Sequence, residues 1–227
     1  MKKLIKTLYM VATALIIGSI IFGLVTKNSF VENDTTNISK EYENSIVSLN
    51  DNDEFSKKYF NNNIENIDQL IGESDLIVKG QVTNDRILFN QSLKTKIVIN
   101  QVIKQTSGNV KSGNEVYVFE PSYFLYDTYV VEAGYNIMKE NEEYILFLKH
   151  LDVPKDYEYK NNEAITFLPT STYFGKYNLD KKGNTKVLTN INQISYEKVQ
   201  NFGVISGNEN LVSKFESFKQ EIENEFY

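Results

Sequence analysis

The fold of this chain is decided by residues 74–148, which open with SDLIVKGQV at 74–82 and close with EYILFL at 143–148. Between these two runs lie KIVI at 96–99 and EVYVF at 115–119. All four runs are rich in β-branched and aromatic residues, which fit a pleated, half-buried surface. The sequence therefore predicts four long β-strands in this part of the chain.

Alternation of apolar residues within these strands predicts which side chains face the core. The predicted inward set is Leu76, Val78, Val82, Val116, Val118, Leu146 and Leu148. Gly80 completes the first row, and a glycine inside a strand is typical of a bulge or of a bend at a barrel corner. In the second strand the apolar parity shifts from Ile99 to Val102, which predicts a bulge near Asn100 and Gln101.

Further strands and two helices surround this central part. Shorter strands are predicted at 164–168, 173–178 and 185–188, with a hairpin turn at 180–184. A helix capped by Asn62 is predicted at 62–72. An amphipathic helix that starts near Asn208 or Asn210 ends the chain, and its apolar stripe is expected to pack in the core. We therefore expect residues 62–227 to form a mainly β domain, an OB-like antiparallel β-barrel with a short helix before it and a C-terminal helix after it.

The N-terminal residues 1–26 read as a signal anchor. Residues 8–25 carry no charge and would span about 27 Å as a helix, close to the thickness of a bilayer core. Lys2, Lys3 and Lys6 precede the run, which predicts a single-pass protein with its N-terminus in the cytoplasm and its C-terminal domain outside. The alternative is secretion after cleavage of a signal peptide, but the one Ala-x-Ala motif, at 12–14, lies inside the apolar run.

Residues 27–61 are predicted to form a polar tether, because Asn, Asp, Glu, Ser and Lys dominate them. The triplet Asp51-Asn52-Asp53 resembles the start of a calcium loop. Ser56 and Asn62 then occupy positions where such a loop needs a glycine and a bidentate glutamate. An acidic linker is the favoured interpretation.

Composition excludes several kinds of site. The chain has no cysteine and one histidine, His150, so we expect no structural zinc, no disulfide, no thiol nucleophile and no cofactor. Setting aside the three anchor lysines leaves 21 basic against 30 acidic residues, a net charge of −9. Because nucleic-acid binding needs clustered Lys and Arg, no nucleic-acid partner is expected.

The loop after the third long strand is unusually aromatic. Its candidate partner-binding residues are Tyr123, Phe124, Tyr126 and Tyr129. One interpretation is that these rings cap an end of the barrel, since aromatic side chains mostly serve burial. The other is a contact surface for a protein, peptide or glycan, with Tyr123, Tyr126 and Tyr129 partly exposed.

The segments 74–82, 96–104, 112–118 and 141–148, in this order, resemble a broad group of bacterial surface proteins. Their pattern is also similar to the small OB-like barrels of netrin and metalloproteinase-inhibitor modules. The resemblance implies a barrel and no particular activity. The inhibitor modules chelate a protease metal through an N-terminal cysteine, which this chain lacks. The absence of cysteine, with heavy use of Asn, Lys, Ile and Tyr, agrees with a Gram-positive surface protein.

The favoured function is a membrane-anchored, extracytoplasmic binding module without catalytic activity. No phosphate-binding or nucleotide-binding glycine motif occurs, and the acids beside the fourth strand, such as Glu140 and Glu143, do not define a facing pair. Two alternatives stay open: a cell-envelope enzyme that uses carboxylates, and a structural subunit of a membrane assembly.

Overall fold

The computed structural model describes residues 2–29, 38–50, 53–89, 91–179 and 185–226. The chain divides into two compact units, Met1–Asp34 and Thr35–Tyr227. The first unit contains helix α1, Lys2–Ser29. Its segment Ile5–Gly23 has a mean hydropathy of 1.9, so this helix is apolar and long enough to cross a membrane.

The second unit contains five further helices and nine strands among the described residues. In chain order they are α2 Ile38–Glu41, β1 Ile46–Asn50, α3 Asp53–Tyr59, α4 Ile67–Glu73, β2 Leu76–Leu88, β3 Leu93–Gln105, β4 Glu115–Glu120, β5 Tyr123–Leu125, β6 Thr128–Glu132, β7 Glu143–His150, β8 Thr166–Pro169, β9 Lys176–Asn178, α5 Tyr196–Val199 and α6 Glu209–Phe226. Short 3₁₀ turns lie at Glu163–Ile165 and Ile191–Gln193.

Five strands close into a barrel in the order β2-β3-β4-β8-β7, and β7 pairs back onto β2. β4 and β8 run parallel, whereas the other neighbours in the barrel are antiparallel. Counted along the chain, the barrel strands follow the order 1-2-3-5-4-1, so the predicted OB-like barrel is confirmed with one parallel pair added. Closure leaves these strands without a free edge for strand addition.

Side-chain alternation fills the barrel as predicted. All seven predicted inward residues are buried, each with at most 1% of its surface exposed, and they pack with Ile97, Ile99 and Phe167. A Cβ added at Gly80 would lie 2.5 Å from Cγ2 of Ile97, so the close packing of β2 on β3 there favours glycine. The predicted bulge is confirmed: Lys79 pairs with Gln101 and Gly80 with Ile99, which leaves Asn100 as the extra residue.

A second core lies between the barrel and the helices. Phe215, Phe218 and Ile222 of α6 pack with Leu70 of α4 and Phe147 of β7, so the predicted role of the C-terminal apolar stripe in the core is confirmed. The predicted start of the preceding helix at Asn62 is wrong. Asn66 caps α4 by accepting from the amide N of Gln69, at 2.9 Å. The Oδ1 of Asn62 instead accepts from the amide and hydroxyl of Thr172, both at 3.0 Å.

The predicted tether is wrong from Ile38 onward, because this segment is folded into the domain. Ile38, Val47 and Phe60 are buried. β1 pairs in parallel with β6 in a three-stranded sheet of order β1-β6-β5. The segment is mostly polar, but its few apolar residues pack into the core. Its strand β1 forms because β6 provides a strand to pair with.

The last predicted strands differ most from the structure. Residues 185–188 form no strand, and the predicted turn at 180–184 lies outside the described residues, as do positions 51 and 52 of the calcium-like triplet. β8 and β9 are shorter than predicted, since 3₁₀ turn Glu163–Ile165 precedes β8 and residues 172–175 form a turn before β9.

Candidate binding site

An open groove of about 430 Å³ lies on the outside of the barrel. It is lined by Tyr59, Phe60, Phe89, Gln91, Ser92, Phe119, Pro121, Leu151 and Leu168. These residues come from the end of α3, the β2–β3 hairpin, the end of β4, the start of the β7–β8 connection and β8. A volume of this size falls within the range of small-molecule and peptide pockets. We call it the aromatic groove.

The hairpin side of the aromatic groove is built around Phe89. Its ring lies 5.6 Å from the ring of Phe119, and about half of its surface, 53%, is exposed. The amide of Phe89 donates to the carbonyl of Ser92 at 2.9 Å, and the Ser92 hydroxyl donates to the carbonyl of Phe89 at 2.8 Å. These bonds close the turn and fix an exposed aromatic ring beside the barrel wall.

The opposite side is the C-terminal end of α3, which presents Tyr59 and Phe60. Ser56 of this helix donates its hydroxyl to Oε1 of the buried Glu132 at 2.8 Å. The amide of Asn61 donates to the carbonyl of Thr170 at 2.9 Å. The helix is therefore anchored to the domain on both sides of the groove-lining residues.

Two ammonium groups lie over aromatic rings at this surface. Nζ of Lys94 is 4.5 Å from the ring centroid of Tyr117 and 5.7 Å from that of Phe119, and Nζ of Lys58 is 5.1 Å from that of Tyr59. Neither ammonium forms an ion pair among the described residues. The groove thus combines an apolar lining, which contains no Asp or Glu, with two lysines beside it, of which Lys94 also interacts electrostatically with Glu163.

The chemistry of the aromatic groove suits insertion of apolar or aromatic side chains. A closed barrel offers no unpaired backbone edge, so recognition here depends on side-chain burial rather than on strand addition. The lining contains no nucleophile–base pair and no pair of carboxylates, which acid–base chemistry requires.

The sequence-predicted loop divides into a buried half and an exposed half. Phe124 and Tyr129 are buried and stack at 4.7 Å, and the Tyr129 hydroxyl donates to Oδ1 of Asn136 at 2.9 Å. Burial raises the pKa of Tyr129 well above its usual value. The predicted partial exposure of Tyr129 is therefore wrong, because its ring fills the core between β6 and α5.

The other two predicted residues lie at the surface. Tyr123 is half-buried, and Tyr126 is 88% exposed at the tip of the β5–β6 hairpin. The hairpin loop has two residues, since Leu125 pairs with Thr128. Binding by Tyr123 and Tyr126 stays a prediction, and neither residue lines the aromatic groove.

A buried charge cluster lies where β2, β3 and β4 meet residues 135–140. Oε2 of Glu120 accepts from the amide of Met138 at 2.7 Å and from the Tyr135 hydroxyl at 3.2 Å, and Oε1 accepts from Thr95. Arg86 donates to Oε1 of Glu140 at 3.0 Å and to the carbonyl of Met138. These hydrogen bonds fix residues 135–140 against the barrel. Because Glu120 is buried and both of its oxygens accept hydrogen bonds, it is not available to a substrate.

His150, the sole histidine, lies at another recess of about 420 Å³, where its ring packs 4.5 Å from that of Phe167. Its Nδ1 is 3.5 Å from Oδ2 of Asp75. Among the described residues, no three His, Asp or Glu side chains converge to hold a metal ion. The expectation of no structural zinc stays a prediction.

Sequence reasoning missed the aromatic groove because its residues come from five separate segments. A usable signal was present. Phe119 follows the inward-facing Val118, and Leu168 follows the inward-facing Phe167. Because successive strand residues point to opposite faces, these two large apolar side chains must face outward. What covers them, Phe89 and the end of α3, depends on tertiary packing.

A scan against protein-family models finds no match, and a search of curated proteins finds no relative with significant similarity. The groove and its rim are therefore the guide to function.

Proposed function

We propose that this protein is a membrane-anchored binding module, without catalytic activity, that holds an apolar segment of a partner protein outside the cytoplasm. The observation that carries the proposal is the aromatic groove, an accessible apolar surface fixed between two rigid walls. Clefts lined mainly by hydrophobic and aromatic side chains, with a few polar groups, are typical of binding sites.

The position of the groove supports binding. OB-like barrels bind their ligands on the face of the second and third strands, between the first hairpin loop and the loop joining the last two strands. Phe89 lies in that hairpin loop, Phe119 on the third barrel strand and Leu151 at the start of that last loop. A resemblance to bacterial surface proteins with small OB-like barrels agrees with such a role.

The chemistry of the lining favours a protein over a glycan. Sugar recognition needs several polar groups beside the stacking rings, whereas Gln91 and Ser92 are the main polar side chains in the lining. The rim lysines, Lys58 and Lys94, favour an apolar segment with acidic neighbours. The Glu120 cluster gives no support to the carboxylate enzyme, since Glu120 is fully buried and both of its carboxylate oxygens accept hydrogen bonds within the domain.

The anchor and its orientation belong to the same proposal. Helix α1 is apolar enough to span a membrane. Lys2, Lys3 and Lys6 at its start favour a cytoplasmic N-terminus, which would display the barrel outside as part of a bacterial cell surface. Secretion after cleavage is the alternative.

Photo-crosslinking from the aromatic groove tests the proposal. The full chain is expressed in a bacterial envelope with a photoreactive phenylalanine analogue at Phe89, and a matched chain carries it at Ile87. Both positions lie on the same hairpin and are about equally exposed, at 53% and 56%, but only Phe89 lines the groove. We expect a protein adduct from position 89 and none from position 87.

A substitution in the groove lining tests whether the adduct depends on the apolar floor. Adding Leu168→Ser to the Phe89 probe removes apolar floor and should reduce the adduct yield by about fivefold or more. Equal adducts from positions 89 and 87, or no adduct from position 89, would overturn the proposal.

A further inference from the structure

The tip of the β5–β6 hairpin exposes a strained aromatic residue. Tyr126 has φ +51° at the first position of a two-residue loop, where Gly, Asn or Asp is usual. Its ring is 88% exposed, so it gains nothing from burial within its own chain. A bulky residue held in a left-handed conformation with an exposed side chain points to a contact outside the chain.

Backbone hydrogen bonds hold the tip on the domain. Leu125 pairs with Thr128, and the amide of Ile46 donates to the carbonyl of Asp127 at 2.9 Å. Leu125 is 50% exposed and the Asp127 side chain is exposed. The hairpin therefore presents an aliphatic, an aromatic and a carboxylate side chain in sequence, already ordered, which lowers the entropy cost of binding.

We propose that the hairpin tip of a second copy of this chain occupies the aromatic groove. This inference rests on the proposed function and names its partner. Leu125 and Tyr126 of one copy would enter the apolar floor of the other, and Asp127 would meet Lys94 on the rim. The two surfaces are complementary in polarity and charge. The tip carries apolar side chains beside a carboxylate, and the groove is apolar with lysines beside it.

Two further observations favour a second copy. Tyr126 is exposed, so the tip does not fill the groove of its own molecule. Anchoring through α1 would confine copies to one membrane, which raises their effective concentration and allows a small contact to associate. Exchange of tips about a two-fold axis would close the assembly as a dimer.

The absence of native cysteine permits a direct test by crosslinking. Two differently tagged full-length chains are co-expressed, one with Thr128→Cys beside the tip and one with Gln91→Cys in the groove. A short bismaleimide is added to membranes. We expect a mixed product, and none when Gln91→Cys is replaced by Ser217→Cys on the exposed face of α6.

Substitutions that keep the fold make the test specific. Tyr126→Ala on the Thr128→Cys chain should reduce the mixed product by about fivefold or more. Asp127→Lys on that chain or Lys94→Asp on the Gln91→Cys chain should each reduce it, and the two together should restore it. No mixed product above the Ser217 control, or a yield insensitive to Tyr126→Ala, would overturn the inference.

The two proposals fail separately. If the photoprobe at Phe89 captures a different protein while the mixed product is absent, the groove binds a partner and the second copy is not that partner. If the probe captures nothing and no mixed product forms, both proposals are wrong.

Discussion

At the scale of single residues, buried tyrosine hydroxyl groups differ in what they contribute to the stability of the fold. The Tyr135 hydroxyl donates to Glu120, and the Tyr129 hydroxyl donates to Asn136 while it accepts from the amide of Ile137 at 2.8 Å. The hydroxyl of Tyr177, by contrast, is buried without a hydrogen-bond partner among the described residues, although its ring stacks on Phe215 at 5.0 Å. A buried polar group without a partner costs free energy.

Tyr177→Phe should therefore raise the free energy of unfolding by about 1 kcal/mol, because it removes the unpaired hydroxyl and keeps the ring. Tyr135→Phe is the matched variant and should lower it by about 1–3 kcal/mol, since it removes one of the two donors to Oε2 of the buried Glu120. Urea unfolding of both variants measures the difference. A loss of stability in Tyr177→Phe as large as that in Tyr135→Phe contradicts the assignment.

Lys176 makes stability depend on pH. Burial lowers its pKa from 10.5 to about 8, against the opposing charges of Glu120 and Glu142. Between these values the unfolded chain binds more protons, so stability should rise with pH, by roughly 3 kcal/mol over the whole interval. Burial raises the pKa of the buried tyrosines, including Tyr144 and Tyr196, so above about pH 10 the unfolded state ionises first and stability should fall.

The rise and the fall together predict a maximum in the free energy of unfolding near pH 9–10. Denaturation at several pH values between 7 and 11 measures it. Lys176→Met should abolish the rise and retain the fall, because it removes the lysine and leaves the tyrosines unchanged. A variant that keeps the same rise above pH 8 shows that another group is responsible.

At the scale of elements, the start and end of a helix or strand follow the local sequence in some cases and tertiary contacts in others. β4 begins at Glu115, the first residue of the predicted run, and ends at Glu120, directly before Pro121. The start of α4 did not follow the local capping signal of Asn62, because that side chain has a better use in bonding Thr172. β1 formed in a segment without strand periodicity because β6 offered it an edge.

At the scale of the whole molecule, an apolar helix and a closed barrel belong to one chain. Because the segment Ile5–Gly23 is long and uncharged apart from Lys6, the full-length protein should stay with the membrane fraction and resist alkaline extraction. A chain lacking residues 2–29 should appear in the soluble fraction. A mature N-terminus near residues 26–29 with soluble protein in the medium would instead indicate cleavage.

The sequence by itself determined the barrel interior, the bulge at Asn100, the apolar N-terminal helix and the C-terminal helix. These features depend on periodicity and on backbone chemistry between near neighbours, which a linear pattern records. Only the tertiary structure decided that residues 38–50 and 53–61 belong to the domain, that Tyr129 is buried and that Phe89, Phe119 and Tyr59 meet in one groove. Each of these is a contact between distant segments, and its free energy depends on the partner that packing supplies rather than on local preference.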